Sequence, residues 1–461
     1  MDIKIFPTLI IAGIKGGSGK TTITLGIIGA LSKNYKVIPF KKGPDYIDSG
    51  WMSLSAKSPC YNLDPYLVSK SKVLESFIRH FDGDIAVIEG NRGLYDGLDL
   101  QGSYSTAELS KMLKVPVILV IDCTKITRTA SALVLGCQKM DEDVMIKGVI
   151  LNQLSSSRHE KIIRSSIEHY CKIPVLGAMP RLDDKEMPER HMGLLPIHEH
   201  NNTEIVINRL SEKAIKHINI SALKEIATKN APSYMHEIEF SSKKTQSYNP
   251  VRIGVIIDKA FQFYYPENID ALKDEGAEIV MINSMYDNEL PKIDGLYIGG
   301  GFPETNAIRL AKNKTFKESL KRSIIRGLPV YAECGGLMYL GDKIVINNQG
   351  YNMTGIYDII FEMHTKPVAH GYTEAIVDSD NPFYPVETVI RGHEFHYSSV
   401  SGNLERCKYS FTMKRGKGIF EKKDGIVYKN CLATYTHIHA LGTNEWAKGM
   451  IRKAKEYKYE P

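Results

Sequence analysis

The segment that most restricts how this chain can fold is GIKGGSGKT at residues 13–21, set between the apolar run LIIA and the helix-like TTITLGIIGALS. Glycines at these positions let successive backbone N–H groups converge on one anion, and the following helix adds the partial positive charge of its N-terminus. The segment is one residue longer than GxxxxGK[ST] and fits the variant KGGxGK[ST] instead. Strand, loop, lysine and helix in this order predict a nucleotide phosphate site built from Gly13, Lys15, Gly16, Gly17, Ser18, Gly19, Lys20, Thr21 and Thr22. Lys20 is expected on the β- and γ-phosphates of ATP, with the Thr21 hydroxyl on Mg²⁺. Lys15 either reaches phosphate across a homodimer or is solvated.

Such a loop belongs to a βαβ unit, and apolar runs alternate with helix-like segments through the first 180 residues: Leu9–Ala12, Val37–Phe40, Ile85–Glu89, Val117–Asp122, Val149–Asn152 and Pro174–Met179. This alternation predicts a doubly wound, mostly parallel sheet covered on both faces. The stretch from Lys229 to Pro250 turns polar without an apolar period and reads as a linker. A second α/β pattern follows from Arg252, through Glu278–Ile282, Gly295–Ile298 and Pro329–Ala332, and becomes strand-rich from about Tyr351. The expected division is 1–228, a linker at 229–250, and 251–461.

In a parallel sheet ligands gather at the carboxyl ends of strands. Acids stand there after two later runs: Asp45 and Asp48 in KKGPDYIDSG, and Glu89 and Asp96 in EGNRGLYDG. Mg²⁺ takes one or two protein carboxylates beside phosphate oxygens, which assigns the metal to Thr21, Asp45 and Glu89. Asn152, closing GVILN, is a candidate for reading the base. The other half carries GGGFPE at 299–304 and VYAECGGLMYL at 330–340. Cys334 after a short strand, with glycines and a helix behind it, predicts a nucleophile elbow whose helix N-terminus lowers the thiol pKa and whose backbone N–H groups hold an oxyanion. Gly300, Gly301 and Gly335 are the expected contacts of that oxyanion and of the group attacked. A thiol nucleophile needs a base, and THIHALG offers His437, with His439 as orienting partner or alternative base. The cluster RGHEFHYS (Arg391, His393, Glu394, His396) favours a structural or substrate-contact role over a metal site.

These motifs, with NLDPY (Asn62–Tyr66), the EGxxGLYDG block, ERHMGL (Glu189–Leu194) and YTHIH in that order, resemble those of the cobyrinic acid a,c-diamide synthase family over nearly the whole chain. The resemblance implies a dethiobiotin-synthetase-like P-loop domain followed by a flavodoxin-like class I glutamine amidotransferase domain. It implies an acyl-phosphate site lined by Asp45, Tyr46, Asp48, Glu89 and Asp96, and amidation of cobyrinate with ammonia from L-glutamine at the cost of ATP. Lys41, Lys42 and Arg92 near the crevice suit a substrate rich in carboxylates. Two features depart from the wider pattern: Lys15-Gly16-Gly17 stands where members commonly carry a serine-containing loop, and His439 stands where ordinary class I glutaminases have a glutamate. The cobyrinate-amidating branch also lacks that glutamate. Related readings are diamidation of another tetrapyrrole, such as nickel-sirohydrochlorin, and a partitioning-type ATPase, which would leave Cys334, GGGFPE and YTHIH without a purpose.

Composition narrows the classes further. The 59 Lys+Arg against 53 Asp+Glu leave a net charge of +6, too small for a dedicated nucleic-acid binder of 461 residues. No apolar run approaches the length of a membrane span, and the N-terminal run reads as a first strand rather than a signal peptide. Seven scattered cysteines without a CxxC suggest neither a disulfide framework nor a zinc site, and a reducing cytoplasm is expected.

Overall fold

A computed structural model of the chain describes residues 4–181, 189–190, 193–194, 197, 202–234 and 249–459. It divides into two compact units, Met1–Phe240 and Ser241–Pro461. Among the described residues no helix is long and apolar enough to cross a membrane, and the seven cysteines are all free thiols.

The first unit runs β1 (Thr8–Gly13), α1 (Lys20–Leu31), β2 (Val37–Lys42), α2 (Ile47–Ala56), β3 (Tyr61–Leu63), α3 (Lys70–His80), β4 (Ile85–Gly93), α4 (Thr106–Leu113), β5 (Val117–Asp122), α5 (Thr129–Met140), β6 (Ile146–Leu154), α6 (Ser157–Cys171) and β7 (Val175–Pro180), as the alternation predicts. A two-residue hairpin of β8 (Glu189–Arg190) and β9 (Gly193–Leu194) and helices α7 (Thr203–His217) and α8 (Ile220–Lys229) complete it. The sheet order is β3-β2-β4-β1-β5-β6-β7, with every pair parallel. β1 lies between β4 and β5, so the loops after β1, β2 and β4 open on one edge of the sheet. Strands such as TLIIAG are buried along their whole length, which is why they read as continuous apolar runs. Helix α1 is likewise apolar nearly all round because α7 covers its outer side; a Cβ at Gly26 would stand 2.8 Å from the Leu210 carbonyl oxygen.

The polar stretch expected as a linker starts differently. Lys229 ends α8, the Phe6 N–H donates to the Pro232 carbonyl at 3.1 Å, and the Tyr234 ring packs 5.2 Å from Phe6 while its hydroxyl donates to the Leu113 carbonyl at 2.6 Å. Apolar anchoring by one tyrosine is invisible to an average over a polar window. Residues 235–248 of that stretch, and His191 and Met192 of ERHMGL, lie outside the described residues.

The second unit runs β10 (Val251–Ile256), β11 (Phe261–Phe263), α9 (Pro266–Asp274), β12 (Ala277–Ile282), β13 (Gly295–Ile298), β14 (Gly300–Gly301), α10 (Ala307–Lys312), α11 (Lys314–Ile325), β15 (Val330–Glu333) and α12 (Gly335–Leu340). After these come β16 (Lys343–Ile346), β17 (Gln349–Asn352), β18 (Ile359–Met363), β19 (Ala369–Val377), β20 (Val389–His396), β21 (Ser398–Gly402), β22 (Lys408–Arg415), β23 (Lys423–Tyr428), β24 (Cys431–Thr434), β25 (His437–Ile438) and α13 (Asn444–Tyr459). The main sheet is ordered β12-β10-β13-β15-β24-β23-β22-β19-β20-β25. Its first five strands are parallel in the flavodoxin-like 2-1-3-4-5 order, and the rest are antiparallel.

That order has a geometric consequence. β24 and β25 are five strand spacings apart along the ladder, about 24 Å if the sheet were flat. Three steps of extended chain from Thr434 to His437 span at most ~11 Å. The antiparallel half must therefore curl until β25 returns beside β24, next to the end of β15. The turn is held by Asp424, a buried carboxylate that accepts from Gly425 N at 2.9 Å, Tyr435 N at 3.1 Å, Thr436 N at 3.2 Å, Thr434 Oγ1 at 2.7 Å and Thr436 Oγ1 at 3.1 Å. Asp424→Ala leaves these donors unpaired in the interior and is expected to cost about 3 kcal/mol or more. Thr434→Val, which deletes one donor, should cost about 1 kcal/mol. Urea titration of both variants against the parent checks the ranking.

Candidate active sites

The phosphate loop occupies the predicted place between β1 and α1. Gly19 has φ 82°, and a Cβ there would fall 2.1 Å from Asn152 Nδ2. Asn152 donates to the Ser18 carbonyl at 3.0 Å, so its amide braces the loop. Lys20 is buried, which pushes its amine below the ordinary lysine range even though Glu89 works in the opposite direction. Lys15 is 65% exposed and stands 3.3 Å from Asp122. Thr22 lies in the first turn of α1.

The acids after β2 and β4 meet at the first helical turn. The Thr21 hydroxyl donates to Glu89 Oε1 at 2.7 Å, and Lys41 Nζ bridges the same oxygen at 3.0 Å and Asp48 Oδ2 at 2.7 Å. Burial alone would drive Lys41 toward neutrality, but the Asp48 and Glu89 carboxylates hold it above the ordinary lysine range. Lys41 is thus committed to internal acids rather than to substrate carboxylates. Lys42 is also buried, and burial lowers its pKa. Asp45 Oδ1 accepts from Asp48 N at 2.8 Å, and burial, with the Asp48 charge next, raises its carboxyl to about 7. Asp96 Oδ2 accepts from Gly93 N at 2.8 Å, and Tyr46 precedes the first turn of α2. The donor set fits Mg²⁺: Glu89 Oε2 is buried and accepts no hydrogen bond among the described residues, beside a threonine hydroxyl and further carboxylates.

In the second unit Cys334 sits between β15 and α12 at φ 46° and ψ −97°, a strained conformation of the kind that elbows impose on nucleophiles. Its N–H donates to the Thr434 carbonyl at 2.7 Å, which ties the elbow to the end of β24. A Cβ at Gly335 would come 3.0 Å from Gly301 N, and one at Gly300 would come 2.3 Å from His437 Cε1. The elbow and the imidazole therefore flank one glycine loop, which only glycines allow. The expected lowering of the thiol pKa is not observed. Burial, followed by the Glu304 carboxylate, pushes Cys334 well above the ordinary thiol range, and the hydrogen bond from the Gly335 N–H does not compensate.

His437 and His439 take different surroundings despite their spacing. His437 Nδ1 lies 3.3 Å from Glu333 Oε2, and its ring stacks on His393 at 4.9 Å. His439 is fully enclosed, 3.6 Å from Glu267 Oε1 and against the Tyr265 ring at 4.8 Å. Of the other members of the RGHEFHYS cluster, Arg391 is exposed and pairs with Glu374 at 3.1 Å, while His396 and Glu394 are held internally. His396 stacks on Tyr435 at 3.7 Å, and burial lowers its pKa to about 4; Glu394 accepts from Lys417 N at 2.6 Å and Gly418 N at 3.2 Å. Among the described residues no group of three or more His, Cys, Asp or Glu could hold a metal ion on its own.

Comparison with known proteins agrees with both halves. Residues 9–195 match the CobQ/CobB/MinD/ParA nucleotide binding domain, and residues 252–445 match the CobB/CobQ-like glutamine amidotransferase domain. The cobyrinate a,c-diamide synthase of Magnetococcus marinus is 40% identical over 98% of this chain and 97% of its own length. The chain belongs to the cobyrinate a,c-diamide synthase family. The same-named proteins of Archaeoglobus fulgidus, 39% identical over 99% of both chains, and Caldanaerobacter subterraneus, 38% identical over 97% of this chain and 98% of its own, are further members.

Family membership leaves the residue roles to the geometry, and two residues here were not singled out by their sequence context. Glu333 is an acid inside a core strand, and its place directly before Cys334 was the available signal. Asp424 carries no motif, and only the sheet closure shows its use. The Asp45 carboxyl offers a measurable consequence. Its folded-state pKa of about 7 exceeds the ordinary aspartate value, so the folded protein binds the extra proton. Stability must then fall as pH rises from about 4 to 7, with the full cost present above that window. Asp45→Asn, whose amide oxygen can still accept from Asp48 N, should therefore raise the melting temperature by a few degrees at pH 8 in the absence of metal. The gain should vanish near pH 4, as thermal melts at the two pH values would show.

Proposed function

We propose that this protein amidates the a and c side-chain carboxylates of cobyrinate in cobalamin biosynthesis, using ATP and ammonia released from glutamine. The observation that carries the reading is one chain with two chemistries: a phosphate loop backed by the Thr21, Glu89, Lys41 and Asp48 cluster, and a strained Cys334 elbow sharing a glycine loop with His437. A carboxylate is a poor electrophile, so ATP first converts it to an acyl phosphate. Lys20 and the loop N–H groups stabilise the transferring γ-phosphoryl group, with Asp45, Tyr46, Asp48, Glu89 and Asp96 around the acceptor. Mg²⁺ held by Thr21, Asp45 and Glu89 would neutralise charge on that group when bound.

At the second site Cys334 rests as a neutral thiol, so its proton must leave as it attacks. His437 takes that proton, sulfur bonds to the glutamine amide carbon, and Gly300, Gly301 and Gly335 shape the space where the oxyanion forms. The imidazolium returns the proton to nitrogen as the C–N bond breaks and ammonia leaves. Water then cleaves the thioester to glutamate. Ammonia displaces phosphate from the acyl phosphate, which gives the amide and inorganic phosphate. A homodimer is compatible with this scheme but is not required by it.

Two variants separate the half-reactions. Cys334→Ala should reduce glutamine-dependent amidation at least ~10³-fold while leaving ammonia-supported amidation intact. Lys20→Ala should abolish both. Mass gain per amide on purified protein, offered cobyrinate, nickel-sirohydrochlorin and other tetrapyrrole acids, checks these outcomes and the substrate together; loss of both nitrogen sources in Cys334→Ala would count against the scheme.

A further inference from the structure

We propose that Glu333, the residue directly before the nucleophile, is the carboxylate that positions His437. This deepens the glutamine-cleavage reading and rests on it. An imidazole that takes a thiol proton needs its far N–H fixed, so that one tautomer presents a lone pair to sulfur and the imidazolium is stabilised once formed. Glu333 is fully buried, and its Oε2 lies 3.3 Å from His437 Nδ1. With Nδ1–H donating to this oxygen, the Nε2 lone pair is left as the base. The Cε1 corner of the ring faces the glycine loop, since a Cβ at Gly300 would lie 2.3 Å from Cε1, 3.2 Å from Nε2 and 3.4 Å from Nδ1; with Nδ1 turned to Glu333, Nε2 is the nitrogen left to act.

The carboxylate is itself held from two further directions. Ile438 N donates to Glu333 Oε1 at 3.2 Å, and the Tyr297 hydroxyl donates to Oε2 at 3.1 Å. Asn268 extends the network by donating to Tyr297 Oη at 3.3 Å and to the Ile438 carbonyl at 3.0 Å, and it accepts from Ala440 N at 2.7 Å. The glutamate thus fixes both the histidine ring and the backbone of the residue after it. Neither neighbouring histidine substitutes for it. His393 meets the His437 ring face to face, interplanar angle 21°, so the nitrogens of the His393 ring stand out of the plane of Nδ1–H, and His439 is turned toward Glu267. A core strand has no packing reason to end in a sealed acid, and the link to His437 supplies one.

The test measures glutamine hydrolysis by the full chain in Glu333→Gln, which keeps the side-chain shape, in Glu333→Asp, and in Tyr297→Phe, which removes one donor to Oε2 without touching the histidine. The expected result for Glu333→Gln is a fall in kcat of ~10²- to 10⁴-fold with KM for glutamine within about threefold of the parent, and unchanged amidation from ammonia, which bypasses the thiol. Glu333→Asp should recover part of the rate, and Tyr297→Phe should lose no more than ~10-fold. A Glu333→Gln enzyme with kcat within about fivefold of the parent would overturn the proposal. So would a joint collapse of kcat, KM and ammonia-supported amidation, which marks a purely structural clamp. Cys334→Ala run in parallel distinguishes the two levels: if it still cleaves glutamine, the amidotransferase reading fails, and if it is inert while Glu333→Gln is active, only the role of Glu333 does.

Discussion

Chain closure between two neighbouring strand ends governs the second unit. Only Tyr435 and Thr436 separate β24 from β25, yet the ladder places five strand spacings between them. Curling the antiparallel half is the solution, and it delivers His437 to the carboxyl end of β15, where Glu333 and Cys334 stand. Asp424 holds the corner with a set of short hydrogen bonds, so the histidine is placed by sheet topology rather than by any local signal. The Cys334 elbow depends on the same corner, because the Cys334 N–H is spent on the Thr434 carbonyl.

In the first unit the governing fact is electrostatic. Asp45, Asp48 and Glu89 crowd around Lys41, with Lys20 as a second amine near Glu89 and Asp48, so the carboxylates outnumber the ammonium groups. The upward shift of the Asp45 carboxyl reflects that crowding. Such a cluster costs stability, as is common where residues serve a ligand site rather than the fold.

Local chemistry was legible from the sequence, and distant pairing was not. GIKGGSGKT and VYAECGG each state strand, turn and helix within a dozen residues, and both appear where expected. The alternation gave the parallel strands but passed over β3, whose three residues are too few to show a period. The pairing of Glu333 with His437 joins residues 104 apart, and that of Thr434 with Asp424 depends on the register between β23 and β24; no spacing rule carries either. The thiol went astray for a related reason. A helix N-terminus is visible in sequence, whereas desolvation is a property of the assembled core, and here desolvation dominates.

A sealed, protonated thiol has a further consequence. Oxidants and alkylating agents attack the thiolate, so a thiol whose ionisation is disfavoured by burial is a poor target for peroxide and for mixed-disulfide formation. The other free cysteines at positions 123, 137, 171, 407 and 431 are also pushed upward by burial. The chain can thus carry seven sulfhydryl groups, with the one at the elbow kept chemically quiet by its burial.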